Sequence, residues 1–167
     1  MREGRSGAED RVRFEQVYYI YKDAMLRLAL GILRNRDDAE DAVQDAFESV
    51  SRNLDKITDL YSARTRSFLM IVTEHKAIDL YRDRRKREAE ELQEAEGVLF
   101  PLPEEGLGRC IRALPPRYRE MILLKYCHGY STREAAEILS LSPAAASKLD
   151  QRAKNRLLEL CRREGIL

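Results

Sequence analysis

The sequence contains no apolar run approaching the ~18 residues that a membrane-spanning helix needs. Its first ten residues, MREGRSGAED, are polar and lack the hydrophobic stretch of a secretory signal. Both absences point to a chain that stays in the cytoplasm without membrane insertion, with residues 1–10 as a flexible arm. Cysteine is scarce: Cys110, Cys127 and Cys161 are three, so they cannot all pair, and none forms a CxxC. A disulfide framework and a zinc knuckle are therefore not indicated, and the three read as small buried thiols. Glu-x-x-His pairs are missing, as is strand-like alternation of any length. What remains is an all-α chain for which no metal or cofactor is expected.

At 167 residues, 35% charged and 44% hydrophobic, the chain has the composition of a globular protein of one domain or two small ones. Its net charge is only +1, but the charge is sorted along the chain. Residues 37–59 hold eight acids and two bases, and 60–87 hold eight bases and three acids. Residues 88–108 hold seven acids and no base, and 109–167 hold twelve bases and six acids. Blocks of alternating sign imply several surfaces with different partners.

Apolar residues spaced by three and four (Phe14, Val17, Tyr18, Tyr21, Met25, Leu28, Ile32) predict a helix over 12–33. Asp37 or Asp38 is expected to cap a second helix with Ala39, Ala42, Val43, Ala46, Phe47 and Val50 inward. Its other face carries Asp38, Asp41, Gln44, Asp45 and Glu48. The macrodipole favours anions in the first turn by ~0.3 to 1 kcal/mol each, but Asp45 and Glu48 lie beyond its reach. A solvated face accounts for them, and so, more specifically, does a docking surface for a basic partner. A loop over 53–65 leads to a third helix predicted over 66–94, apolar at first, then carrying His75, Lys76, Tyr81, Arg82, Arg84, Arg85, Lys86 and Arg87. Cations interleaved with rings suit single-stranded nucleic acid, where phosphates meet charge and unstacked bases meet ring faces, while a lone histidine such as His75 equally suits a satisfied core or surface position.

The acidic stretch 88–106, with its prolines and glycines, marks a linker between a domain at 11–87 and one at 107–167. Short helices are predicted over 107–114 and 117–128, separated by Pro115-Pro116. Then Ser131 with Glu134 makes a capping box, and Ser142-Pro143 opens another helix eleven residues later. Ala136, Ile138, Leu141 and Ala146 supply the apolar crossing, although Ser140 stands where the turn usually has glycine. This is a helix-turn-helix pattern, whose second helix fits a DNA major groove. An ordinary helical hairpin shares the spacing but has no need of Lys148, Arg152, Lys154 and Arg156 following the second cap.

The runs DAEDAVQDAF (38–47), FLMIVTEHKAIDLYRDRRKR (68–87), ALPPRYREMILLKY (113–126) and STREAAEILSLSPAAASKLDQRAKNRL (131–157) together resemble the sigma-70 family of bacterial sigma factors, in its extracytoplasmic-function group. The resemblance covers nearly the whole chain, in order. It implies a region 2-like domain of three helices and a region 4-like helix-turn-helix domain, joined by the acidic linker. The partners it implies are core RNA polymerase (through the clamp coiled coil of its largest subunit and its flap region), promoter DNA and, in some members, an anti-sigma factor. Polymerase docking would fall on Asp38, Asp41, Gln44, Asp45 and Glu48. The non-template strand of the -10 element would fall on Arg64, Arg66, His75, Lys76, Arg82, Arg84 and Arg85. Readout of the -35 element would fall on Thr132, Arg133, Ser142, Ala144, Ala145, Ser147, Lys148 and Arg152. The chain departs from the family's pattern at His75, where asparagine is usual, and at Leu149-Asp150, where a basic-apolar pair is usual; the aspartate is expected to weaken packing or DNA binding. A stand-alone helix-turn-helix regulator of duplex DNA is the alternative reading, but it leaves the acidic helix unexplained. A hydrolase using Asp37, Asp38, Glu40 and Asp41 is disfavoured, because helical carboxylate sites draw ligands from several helices.

Overall fold

The computed structural model describes residues 7–84 and 102–167, and among these every regular element is helical. The chain divides into two compact units, Met1–Glu91 and Leu92–Leu167.

In the first unit α1 spans Gly7–Leu33, beginning before the predicted start, so the expected arm is helical from Gly7 and its residues 1–6 lie outside the described ones. Arg34, at φ 54°, ends it, and α2 follows at once over Arg36–Arg52. The cap of α2 is Asn35, not Asp37 or Asp38: its side chain accepts the Asp38 N–H at 3.0 Å. Cap preference for a short polar acceptor is met one residue before the acids, which then fill the first turn. All six predicted inward residues of α2 are buried. A 3₁₀ turn, Leu54–Lys56, and a loop lead to α3, Ala63–Arg84, where the Ser62 hydroxyl accepts the Thr65 N–H. α3 packs against both α1 and α2, so Phe68 to His75 are buried without interruption. A helix wrapped on every side loses its polar stripe, and burial of Phe68, Leu69 and Ile71 stabilises the unit by about 2 kcal/mol each.

In the second unit α4 spans Leu107–Arg112, its entry held by Arg112, which donates to the carbonyls of Leu102 and Pro103. The Pro103 carbonyl lies where any Cβ on Gly108 would sit, so only glycine fits there. α5, Pro116–Ile122, widens into a π-helical turn over Leu123–Cys127. Cys110 and Cys161 are buried as expected, whereas Cys127 is exposed.

The helix-turn-helix is formed by α6, Thr132–Ile138, and α7, Pro143–Arg163. Both halves of the capping box are made, with Glu134 N–H to Ser131 at 3.0 Å and Ser131 N–H to Glu134 at 3.1 Å. Ala136, Ile138 and Ala146 are buried in the crossing. Ser140 takes the glycine role itself, at φ 55°. That conformation crowds Cβ, so Ser140→Gly is expected to stabilise this unit by about 0.5 to 1 kcal/mol after the added freedom of the unfolded chain. A urea melt checks it; a lower midpoint for the variant would show that the turn is not strained.

Candidate nucleic-acid and polymerase interface

Helical spacing puts Asp41, Gln44, Asp45 and Glu48 on the exposed face of α2, opposite its alanines. Asp38 is different. Its carboxylate receives Arg84 of α3 at 3.0 Å and is mostly covered, so it closes the domain rather than standing free. The same acidic face borders a groove of about 650 Å³ between α1 and α2, with Glu40, Gln44 and Glu48 on its rim. Its wall is aromatic: Phe47 meets Phe14 at 5.9 Å and Tyr18 at 5.1 Å, and Lys22 stands over the Tyr18 ring. Of the apolar stripe of α1, Val17, Tyr21, Met25 and Leu28 are buried, whereas Tyr18 is open to solvent, as is its neighbour Tyr19.

The cations of α3 fall into two groups. Arg64 and Arg66 lie in its first turn and Arg82 and Arg84 in its last, eighteen residues or ~27 Å apart along the axis. Lys76 is half-buried between them, and Arg85, Lys86 and Arg87 lie outside the described residues. His75 corrects the expectation. It is 7% exposed, with Nε2 3.5 Å from Asp79, so its ring is not offered to a base. An exposed ring near the start of α3 is Tyr61, 75% accessible, on the loop just before Arg64. A loop aromatic without periodicity gives no sequence signal, but this loop is well built. The Asp59 carboxylate accepts the Tyr61 N–H at 2.9 Å, and the Asp59 carbonyl accepts Thr65 and Ser62 hydroxyls. From α1, Arg13 donates to the Ile57 carbonyl at 2.6 Å and Tyr21 donates to the Leu60 carbonyl. Burial pushes the Tyr21 phenol up, against the nearby Arg66 guanidinium, which keeps it protonated as a donor at neutral pH.

On α7, Ser142 caps the helix through the Ala145 N–H at 3.1 Å, and Ala144, Ser147, Lys148 and Arg152 share an exposed face, with Ala145 half-buried at its edge. Thr132 is half-buried and Arg133 exposed at the start of α6, Arg133 lying 3.6 Å from Glu137. An exposed helix with small residues near its start and cations further along has the shape and charge of a groove reader.

Residues 17–87 match sigma-70 region 2, and residues 104–157 match sigma-70, region 4. The sigma factor SigW of Bacillus subtilis, an extracytoplasmic-function RNA polymerase sigma factor, is 31% identical over 153 residues, 79% of this chain and 80% of that protein. This chain belongs to the extracytoplasmic-function sigma factors of the sigma-70 family. As an alternative sigma factor it directs transcription initiation at promoters. The relative SigM of Mycobacterium tuberculosis is 25% identical over 161 residues, 92% of this chain and 79% of that one. Among solved structures, the sigma factor RpoE of Bartonella quintana, in complex with the anti-sigma factor NepR, matches with a TM-score of 0.45 at 22% identity, over 89% of this chain and 96% of that one.

The departure at Asp150 has a structural answer in this sigma factor. Its carboxylate is 7% exposed and faces inward, accepting Lys125 Nζ at 2.6 Å and the Tyr126 hydroxyl at 2.9 Å. Burial alone would raise the carboxyl's pKa, but the hydrogen bonds from Lys125 and Tyr126 outweigh it and hold it below the ordinary range. Lys125 is held above its ordinary value by the bond to Asp150, against the opposing effect of burial. The aspartate therefore fastens α7 to the π-helical turn, and the expected weakening of the packing is replaced by a buried ion pair.

Proposed function

We propose that this sigma factor docks on core RNA polymerase in the cytoplasm with the exposed face of α2 (Asp41, Gln44, Asp45 and Glu48) and the adjoining aromatic groove. The α3 cations Arg64, Arg66, Lys76, Arg82 and Arg84, with Tyr61, hold the single-stranded -10 element. The exposed face of α7 (Ala144, Ser147, Lys148 and Arg152), with Thr132 and Arg133, meets the -35 element. The carrying observation is the separation of an exposed acidic helix face from exposed cations and a ring on a neighbouring helix and loop of one unit. Acids favour a basic protein partner, while cations with a ring favour unpaired nucleic acid. With a net charge of +1, the chain alone gains little from phosphate neutralisation, so its two DNA-facing surfaces act together once the polymerase holds them.

The test is reconstitution. Core polymerase supplemented with the purified chain is expected to yield discrete run-off transcripts from genomic templates, and sequencing their starts gives the promoters. Tight sequence-specific DNA binding by the chain alone, with no stimulated initiation, would replace this reading by the stand-alone regulator.

A further inference from the structure

The loop over 57–62 is short, exposed at its tip and carries no regular hydrogen-bonded repeat, and it presents Tyr61 outward. Its own Asp59 turn shapes the tip and, through the Thr65 hydroxyl, joins it to the first turn of α3. A second hold comes from α1, whose sequence reads as a long amphipathic helix. Two polar groups leave its buried face at positions eight residues apart, about 12 Å along the axis. Arg13 takes the Ile57 carbonyl at the start of the loop, and Tyr21, itself 3% exposed, takes the Leu60 carbonyl next to Tyr61. A core position asks only for a ring, which phenylalanine would fill. The hydroxyl is needed only to hold the Leu60 carbonyl.

We infer that Tyr21 and Arg13 are positioning residues for the strand-holding site: from α1 they fix the loop that presents Tyr61. An unstacked base gains by stacking on a ring already held in place, because little freedom is lost when it binds. Removing the anchors leaves the ring present but no longer held in place. The inference rests on the -10 role proposed above.

The experiment uses the full chain with core polymerase on a promoter obtained from the run-off transcripts, with 2-aminopurine in the non-template strand reporting opening. Tyr21→Phe keeps the ring in the core and is expected to slow opening roughly 3- to 10-fold, the worth of one net hydrogen bond, with polymerase affinity unchanged. Arg13→Gln strikes the other anchor and is expected to act in the same direction. Tyr61→Ala gives the reference loss, and the cycle with Tyr21→Phe is expected to be strongly non-additive, since both variants remove the same contact. Hydrogen exchange of the loop amides, measured on the free chain, should quicken in Tyr21→Phe. Full opening rates in both anchor variants, or additive losses in the cycle, overturn the inference. If the unmodified chain supports no initiation, the functional reading falls first, and that is seen before any variant is made.

Discussion

Reversing two charges on α2, Asp41→Lys with Asp45→Lys, is expected to lower affinity for core polymerase by at least ~100-fold, since like charges facing a basic partner cost several kcal/mol. Both side chains are exposed and neither takes part in the α2 packing against α1 and α3, which runs through Ala39, Ala42, Val43, Ala46, Phe47 and Val50. Circular dichroism and the melting temperature should therefore stay close to those of the unmodified chain. Pull-down of core enzyme at rising salt provides the check, because exposed charge pairs weaken over the ~10 Å screening length of 0.1 M salt. Unchanged capture by the double variant would move docking off this face. Asp38→Lys makes an informative contrast: its carboxylate is tied to Arg84, so its replacement should loosen the joint between α2 and α3 and register first as lost stability.

The second large effect is at Asp150. Asp150→Asn leaves Lys125, only a quarter exposed, without its carboxylate, and is expected to cost about 2 kcal/mol, less than for a completely buried pair. For a unit of this size that lowers the melting temperature by roughly 10 °C. The pH dependence follows from the directions of the two shifts. Asp150 is depressed in the folded protein, so its stabilisation is complete above the unfolded carboxylate value of about 3.9 and is lost as pH falls through the lower folded value. Lys125 is raised, so its share is complete below about 10.4 and is lost only as pH rises through a higher folded value. Between pH 5 and 9 the gap between the two proteins should be flat, closing only in acid or strong base. Melting the pair across pH provides the measurement; equal stability at neutral pH would mean that Asp150 does not fasten α7. The double replacement Lys125→Met with Asp150→Leu should recover most of the loss, since an apolar pair of similar volume can replace a buried ion pair.

Much of the architecture is written in local pattern. Three- and four-residue spacing in α1 and α2, the capping box at Ser131 and the cap at Ser142 are properties of a few neighbouring residues, so they place helices before any packing is known. A division into two units was expected from the run of acids, prolines and glycines after residue 87. The candidate surfaces were legible to the same extent: charge on the solvent side of an amphipathic helix needs no tertiary information, which is why Asp41, Asp45, Lys148 and Arg152 fall where the sequence put them.

The sequence alone determined which segments are helical, which faces are apolar and which family pattern the chain carries. The tertiary structure decided what each polar group on those helices touches. Periodicity does not distinguish a histidine at a helix surface from one covered by two neighbouring helices, and so His75 changed from ligand to buried residue. Nor does spacing bring Asp150 to Lys125, twenty-five residues away, or Tyr21 to Leu60, thirty-nine away. Those pairings come from the packing of α7 on the π-helical turn and of α1 on the loop before α3. They turn an apparent defect into a fastening and an ordinary core tyrosine into an anchor, because the energy of a polar group is set by its partner and its burial rather than by its place in the chain.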